Sequence, residues 1–333
     1  MSIGIAVALR NVGPSMEAAV RSIAAFGDDV EVAVSDASGD PRVREIFAPI
    51  ADRIVKYAFE PDGGQSHGLH KAMMALDSPI LGWLNHDDFL VRGGAAEVEA
   101  AMRGADVAYG ESLFFDERGD AVGYHPNVHA DPAQLDVENT ISQPSCFYSR
   151  DLYRQVGGVD FDLHYTMDWD LWRRMAKAGG KLAHVDALWS GVTLSPDAKT
   201  AHLSLARARE IAGLIRQGGG RADLPGLLIE SMKTAVLWRL RGRKVSPHPY
   251  FAVWADKGGA ERAPSVADDH HAGVFALHDL SDEPVMIEDR KGGRGVIAAP
   301  EGRPKAFERI RLALPYPLAN LSAIRLGGAG ELN

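Results

Sequence analysis

Apolar residues follow two alternating rhythms along the first half of the chain. Ile3–Leu9 is a continuous apolar, β-branched run, the pattern of a central strand buried on both faces. Pro14 then opens a stretch in which Met16, Ala19, Val20, Ile23 and Ala24 recur at helical spacing. Residues 30–34 and 53–58 predict two further strands, and residues 66–76 a helix. The run Leu81-Gly82-Trp83-Leu84 predicts a fourth strand, broken only by Gly82, which empties into Asn85-His86-Asp87-Asp88. Beyond it the spacing predicts a helix over 95–102, a strand over 106–109 and a hairpin-like turn at 116–120. A short helix over 150–156 stops at Gly157-Gly158, another starts near Asp168 and ends at Gly179-Gly180, and a last strand covers 181–185. This strand–helix alternation predicts an α/β fold with a mostly parallel, doubly wound sheet.

The grammar changes further on. Residues 199–217 and 226–242 read as helices separated by Gly218-Gly219-Gly220. From about Ser246 the chain is richer in Gly and Pro, with short β-like runs at 273–277, 284–287 and 295–298. The expected organisation is a domain over 1–215, a helical linker over 216–245 and a small β-rich extension over 246–333.

Composition narrows the classes of function. The net charge of −9 argues against a nucleic-acid binder, which would show a basic surface. The single cysteine, Cys146, excludes an internal disulfide, and its strand-like context predicts a small buried core residue. No stretch approaches the roughly 20 apolar residues of a membrane span. The first residues lack the pattern of a secretion signal, so a cytoplasmic location is expected.

The candidate chemistry is a set of carboxylates. Asp36 follows the second strand, Asp62 the third and Asp87-Asp88 the fourth, while Asp168 opens a late helix. In a parallel sheet the first three groups converge on the rim where ligands bind. Taken alone, Asp87-Asp88 reads either as a solvated turn capping the next helix or as ligands for a hard divalent cation. A rim of carboxylates is costly unless a cation or hydrogen-bond donors offset it, which favours a metal–phosphate site. No Gly-x-x-x-x-Gly-Lys-Ser/Thr loop is present, and no Gly-x-Gly-x-x-Gly follows the first strand. The first turn instead reads Arg10-Asn11-Val12-Gly13-Pro14.

The ordered segments resemble the inverting GT-A glycosyltransferases of the family 2 type. Ala8-Leu9-Arg10-Asn11 is similar to the family's Pro-Thr-Tyr-Asn turn, and Ser35-Asp36-Ala37-Ser38-Gly39-Asp40 to its Asp-Gly-Ser-x-Asp. Asp62-Gly63-Gly64-Gln65-Ser66-His67-Gly68-Leu69-His70-Lys71-Ala72 resembles Asp-x-Gly-x-x-Asp-Ala-x-Asn-Lys-Gly, and Leu84-Asn85-His86-Asp87-Asp88 is close to Leu-Asn-Ser-Asp-Asp. Gln143-Pro144-Ser145-Cys146-Phe147, Gly157-Gly158-Val159-Asp160 and the segment Met167-Asp168-Trp169-Asp170-Leu171-Trp172-Arg173-Arg174 match three further family segments in order. The resemblance covers roughly residues 1–215 and rests on the ordered set rather than on any single motif.

This resemblance implies a GT-A fold, a nucleotide-diphospho-sugar donor and a saccharide or lipid-linked glycan acceptor. It implies that Asp36 hydrogen-bonds the nucleobase, with Arg10 and Asp62 near the same pocket and Gln65 on the donor side. Asp88 would contact Mg²⁺ or Mn²⁺ at the diphosphate, and Asp87 the ribose or the metal's surroundings. Asp168 becomes the candidate general base, since inversion needs a carboxylate that takes the acceptor hydroxyl's proton. Gln143, Trp169 and Asp170 are placed on the acceptor side. Asp168 and Asp170 lie about 200° apart on an ideal helix, so they cannot share one role.

The chain also departs from the family pattern. Met167 stands where Glu is common, and His67 and His70 where Asp and Asn are usual. Trp189-Ser190-Gly191-Val192-Thr193 offers no histidine ligand, and His202 reads as a surface helix residue. These departures leave a catalytically silent nucleotide-sugar or glycan-binding protein as the alternative. A nucleotidyltransferase would need a longer glycine-rich basic loop after the first strand. The cations of 237–244 suit either a helix C-terminus or a peripheral contact with an anionic membrane. Asp269-His270-His271 is a weak pointer to a second metal site.

Overall fold

The computed structural model describes residues 2–13, 15–116, 121–125, 132–194 and 204–229, together with three short strands beyond residue 284. In chain order the first elements are β1 (Ile3–Leu9), α1 (Met16–Phe26), β2 (Val30–Asp36), α2 (Arg42–Phe47), β3 (Ile54–Phe59), α3 (Gln65–Met74) and β4 (Ile80–Trp83). There follow β5 (Phe89–Leu90), α4 (Gly94–Met102), β6 (Val107–Asp116), β7 (Ala121–His125), α5 (Pro132–Leu135), β8 (Cys146–Ser149) and α6 (Arg150–Gln155). Then come α7 (Met167–Lys177), β9 (Leu182–Leu194) and α8 (Leu205–Gln217).

β1 to β4 form a parallel set in the order β3-β2-β1-β4. Its residues face two cores, as the apolar runs require. Ile3, Ile5, Val7 and Leu9 of β1 pack with Val20, Ile23 and Phe26 of α1. On the opposite face Ala6 of β1 and Ala33 of β2 meet Leu69 and Met73 of α3 and Trp172 of α7. Small residues on this face let α3 approach closely, and a Cβ on Gly4 would lie 3.0 Å from the Leu76 side chain.

Past β4 the sheet is mixed. β8 runs antiparallel between β4 and β6, β6 pairs parallel with β9, and β5 and β7 add antiparallel edges. β6 and β9 extend several residues beyond the expected strands, because their pairing with each other continues through a register shift near Glu111. α2 escapes the sequence pattern because a six-residue helix holds only one apolar repeat, Val43 and Phe47.

The break at Gly82 has a packing cause. A Cβ there would sit 2.7 Å from the Phe147 ring, which lies across β4 and stacks on Phe26 at 5.5 Å. The turn after β4 closes with the Asp88 amide donating to the Asn85 carbonyl at 3.2 Å. Neither Asp87 nor Asp88 caps a helix, for β5 intervenes and the residue preceding α4 is Gly93. Asp168 likewise lies inside α7, whose N-cap is Thr166.

Beyond the main sheet, β10 (Val285–Asp289), β11 (Arg294–Ile297) and β12 (Leu321–Leu326) pair antiparallel in the order β11-β10-β12. A helix also covers residues 224–229. The 237–244 cations, His202 and Asp269-His270-His271 fall outside the described residues. Among the described residues, no helix is long and apolar enough to cross a membrane.

Candidate active site

The carboxyl ends of β1 to β4 share one edge, and the sequence-expected donor residues stand there. Arg10 is exposed just past β1, and the nearby turn brings Gly13 against His86. Asp62 follows β3; its Oδ1 accepts from the Gly64 amide at 2.9 Å. Its Oδ2 faces α3 at Gly68, where a Cβ would come within 2.4 Å. The Ser35 hydroxyl borders the same space, 3.1 Å from that Cβ position, and is buried with no hydrogen-bond partner among the described residues. Gly68 thus lets α3 pack closely on the Asp62 carboxylate and the Ser35 hydroxyl.

The expected nucleobase contact of Asp36 meets a closed carboxylate. Asp36 is 0% exposed. Oδ1 accepts from the Ser38 amide at 2.9 Å and the Ser38 hydroxyl at 2.6 Å. Oδ2 accepts from the Tyr57 hydroxyl at 2.6 Å. Burial and the Asp36 charge raise the Tyr57 phenol above its ordinary value, so it stays a donor, and the Arg44 guanidinium lies 5.0 Å from its ring. In this conformation Ser38 and Tyr57 occupy both Asp36 oxygens. Tyr57→Phe should leave the buried carboxylate one donor short and cost about 1–3 kcal/mol of stability. Urea denaturation of the variant measures this, and an unchanged midpoint would show that the bond contributes nothing.

A directional chain of amides organises the fourth carboxylate. The Trp83 carbonyl can only accept, so Gln143 presents Nε2 to it at 2.8 Å. That leaves Gln143 Oε1 to accept from Asn85 Nδ2 at 2.9 Å. Asn85 Nδ2 also donates to Asp88 Oδ2 at 2.9 Å, while its Oδ1 accepts from Gln65 Nε2 at 3.0 Å. Asp88 Oδ1 accepts from the Thr193 amide of β9 at 3.1 Å. Gln143 therefore orients Asp88 through Asn85, a role not visible in its spacing. Asp88 is buried, and desolvation followed by the adjacent Asp87 charge pushes its carboxyl well above the ordinary range; Asn85 and Thr193 offset part of that.

The start of α3 joins this carboxylate to the second one. Gln65 reaches Asn85, and the neighbouring Ser66 hydroxyl donates to the Leu163 carbonyl at 2.8 Å and lies 2.9 Å from the Met167 sulfur. Asp168 follows directly. The residue is half-buried, and desolvation raises its pKa, partly countered by the Trp169 amide, by Asn139 Nδ2 at 3.3 Å and by the Arg207 charge. Cys146 of β8 is buried, as expected, and burial, then the nearby Asp168 charge, raises its thiol.

Trp169 and Asp170 are support rather than surface. Trp169 is 4% exposed, and its indole donates to the Leu135 carbonyl at 2.6 Å. Asp170 accepts from Arg174 Nε at 2.7 Å, and Arg174 in turn holds the Val156 carbonyl. The sequence reading missed Tyr57, Asn139, Arg207 and Glu210 as parts of the site. Arg207 and Glu210 share one face of α8, but only their spacing of three could have signalled it.

No protein-family model matches the sequence, and no curated protein matches it. Among solved structures, residues 1–349 of S. aureus TarS superpose with a TM-score of 0.51 at 12% identity, covering 73% of this chain and 74% of that one. The same TarS fragment in complex with UDP-GlcNAc gives 0.52 at 13% identity, covering 72% and 73%. The mannosyltransferase PcManGT from Pyrobaculum calidifontis, in complex with GDP-Man and Mn²⁺, gives 0.50 at 14% identity, covering 76% and 82%. Against a longer TarS chain, the protein spans 46% of the length. The chain therefore shares the GT-A fold of these glycosyltransferases.

Proposed function

We propose that the protein is an inverting glycosyltransferase. It moves a sugar from a nucleotide-diphosphate donor to a hydroxyl of a saccharide or lipid-linked glycan, in surface polysaccharide or glycoconjugate synthesis. The observation that carries this reading is the pair of carboxylates, buried Asp88 and half-buried Asp168, held on either side of the α3 start. Both are raised by burial, and their surroundings differ: Asp88 faces another carboxylate, Asp168 an arginine. Carboxylates whose environments set them apart suit different roles in one reaction. The nucleotide sugars bound to the structural neighbours support the donor class.

The donor set at the β4 turn fits a hard cation. Asp87 and Asp88 are adjacent carboxylates in mutual repulsion, which a divalent ion relieves. Among the described residues no group of three His, Cys, Asp or Glu converges, so an ion here would complete its coordination with water and donor phosphate. Bound there, Mg²⁺ or Mn²⁺ would offset the charge developing on the departing diphosphate. Ser35, Asp62 and Arg10 line the donor side. Asp168 takes the acceptor hydroxyl's proton while that oxygen attacks the anomeric carbon from the face opposite the diphosphate. Its raised pKa makes it a stronger base than an ordinary aspartate.

A thermal-shift screen of nucleotide sugars with and without Mn²⁺ tests the reading. A donor at about 100 times its Kd should stabilise the protein by about 2.7 kcal/mol, more with Mn²⁺ than without. Release of the nucleoside diphosphate from that donor should follow on prolonged incubation. No shift with any nucleotide sugar would overturn the proposal, whereas a shift without hydrolysis or transfer would identify a silent binding protein.

A further inference from the structure

We propose that Glu210 is a positioning residue for Asp168, acting from α8 to fix the turn that delivers this base. The inference rests on the reading of Asp168 as the base.

Four donors from three consecutive residues converge on one carboxylate. The amides of His164, Tyr165 and Thr166 donate to Glu210 at 3.1, 2.8 and 3.1 Å, and the Thr166 hydroxyl at 3.2 Å. These residues lead directly into α7, and its own N-cap, Thr166, makes no side-chain capping bond. Glu210 accepts from the N-cap amide of Thr166 and from the two amides before it, so α8 fixes the entry into α7 and places a negative charge favourably at its N-terminus. Asp168 sits two residues beyond Thr166, so the orientation of its carboxyl follows from this turn.

α8 is itself fixed, so it can act as a template. Ala208, Ala212 and Leu214 are buried on its inner side. At its C-terminus a Cβ on Gly218 would lie 2.4 Å from the Asp136 carbonyl, and one on Gly220 3.1 Å from Val137. The segment that follows carries Asn139, which donates to Asp168. One helix therefore touches both approaches to the base, and its Arg207, one turn before Glu210, faces Asp168 as well. The charged or titratable groups facing Asp168 are Arg207 of α8 and Cys146 of β8, with Tyr165 beside Arg207.

The test compares wild type, Glu210→Gln and Glu210→Asp. Glutamine keeps the length but turns an NH2 group into a cluster of donors, and aspartate keeps the charge but is too short. UDP-N-acetylglucosamine and GDP-mannose, each with Mn²⁺, serve as donors, and release of the nucleoside diphosphate is measured against pH. For the donor that is turned over, both variants should lose about 100-fold in kcat with KM unchanged, the loss that follows a displacement of about 1 Å. A merely structural role would lower Tm and leave kcat per folded molecule intact, and that result overturns the proposal. If wild type hydrolyses neither donor, the glycosyltransferase reading is what fails, and Glu210 is judged separately by ¹³C NMR titration of the Asp168 carboxyl, assigned with Asp168→Asn. In both Glu210 variants that carboxyl should titrate at lower pH, as the loosened turn admits water; an unchanged titration overturns the proposal.

Discussion

Asp168→Asn is expected to lower the kcat of transfer about 10²–10⁴-fold, the usual contribution of a positioned general base, with donor KM little altered. Asparagine keeps the shape and can still accept from Asn139, but it cannot take a proton. The wild-type rate should fall with acid as Asp168 protonates, with a midpoint above the ordinary aspartate value, because burial holds the carboxyl up. Fold stability has the opposite sense. A carboxyl whose folded-state pKa is raised binds its proton more tightly when folded, so its contribution is fully present below the unfolded-state value. That contribution is lost as pH rises through the folded-state pKa. At neutral pH the ionised Asp168 therefore destabilises the native state, and Asp168→Asn should be the more stable protein. Urea unfolding at pH 7 and at pH 3 checks this: the variant's advantage should be clear at pH 7 and shrink at pH 3. A less stable variant at pH 7 would show that Asp168 is not held against its own ionisation.

The parallel half of the sheet was legible because β1, β2 and β4 are buried on both faces and read as unbroken apolar runs. The antiparallel half was harder. β5 is a two-residue strand that exists through its pairing with Gly191 and Ser190 of β9, a partner about a hundred residues away. The carboxylates at strand ends were likewise readable, since strand direction alone puts them on one rim. Their states were not. Asp36 and Asp88 both follow apolar strands, yet one is closed by Ser38 and Tyr57 while the other is wired through Asn85 to Gln143. Such differences depend on side chains that meet only after folding. Glu210 shows the limit most clearly: it lies 42 positions beyond Asp168 in a helix that otherwise reads as an ordinary amphipathic surface element.

Asp88→Asn should abolish the Mn²⁺-dependent part of donor stabilisation and lower turnover by about 10²–10³-fold, the range seen when one electrostatic stabiliser is removed. Two effects combine. The substitution removes one of the two adjacent negative charges that make the β4 turn suit a divalent ion. It also places an NH2 group where both existing neighbours, Asn85 Nδ2 and the Thr193 amide, already donate. Asn85 cannot relieve the clash by flipping its amide. Its Nδ2 would then face the Gln65 donor and its Oδ1 would face Gln143 Oε1, whose orientation the Trp83 carbonyl fixes. With the introduced NH2 group turned to Asn85, the misfit passes along the amide chain to Gln65 at the start of α3; turned the other way, it opposes the Thr193 amide. Calorimetric titration of the donor with and without Mn²⁺ separates the two effects. Loss of the Mn²⁺ dependence alone reports the missing charge, and weaker binding without Mn²⁺ reports the disordered amides. If Mn²⁺ still tightens donor binding to Asp88→Asn as it does to wild type, the cation is held elsewhere and the assignment of Asp88 is wrong.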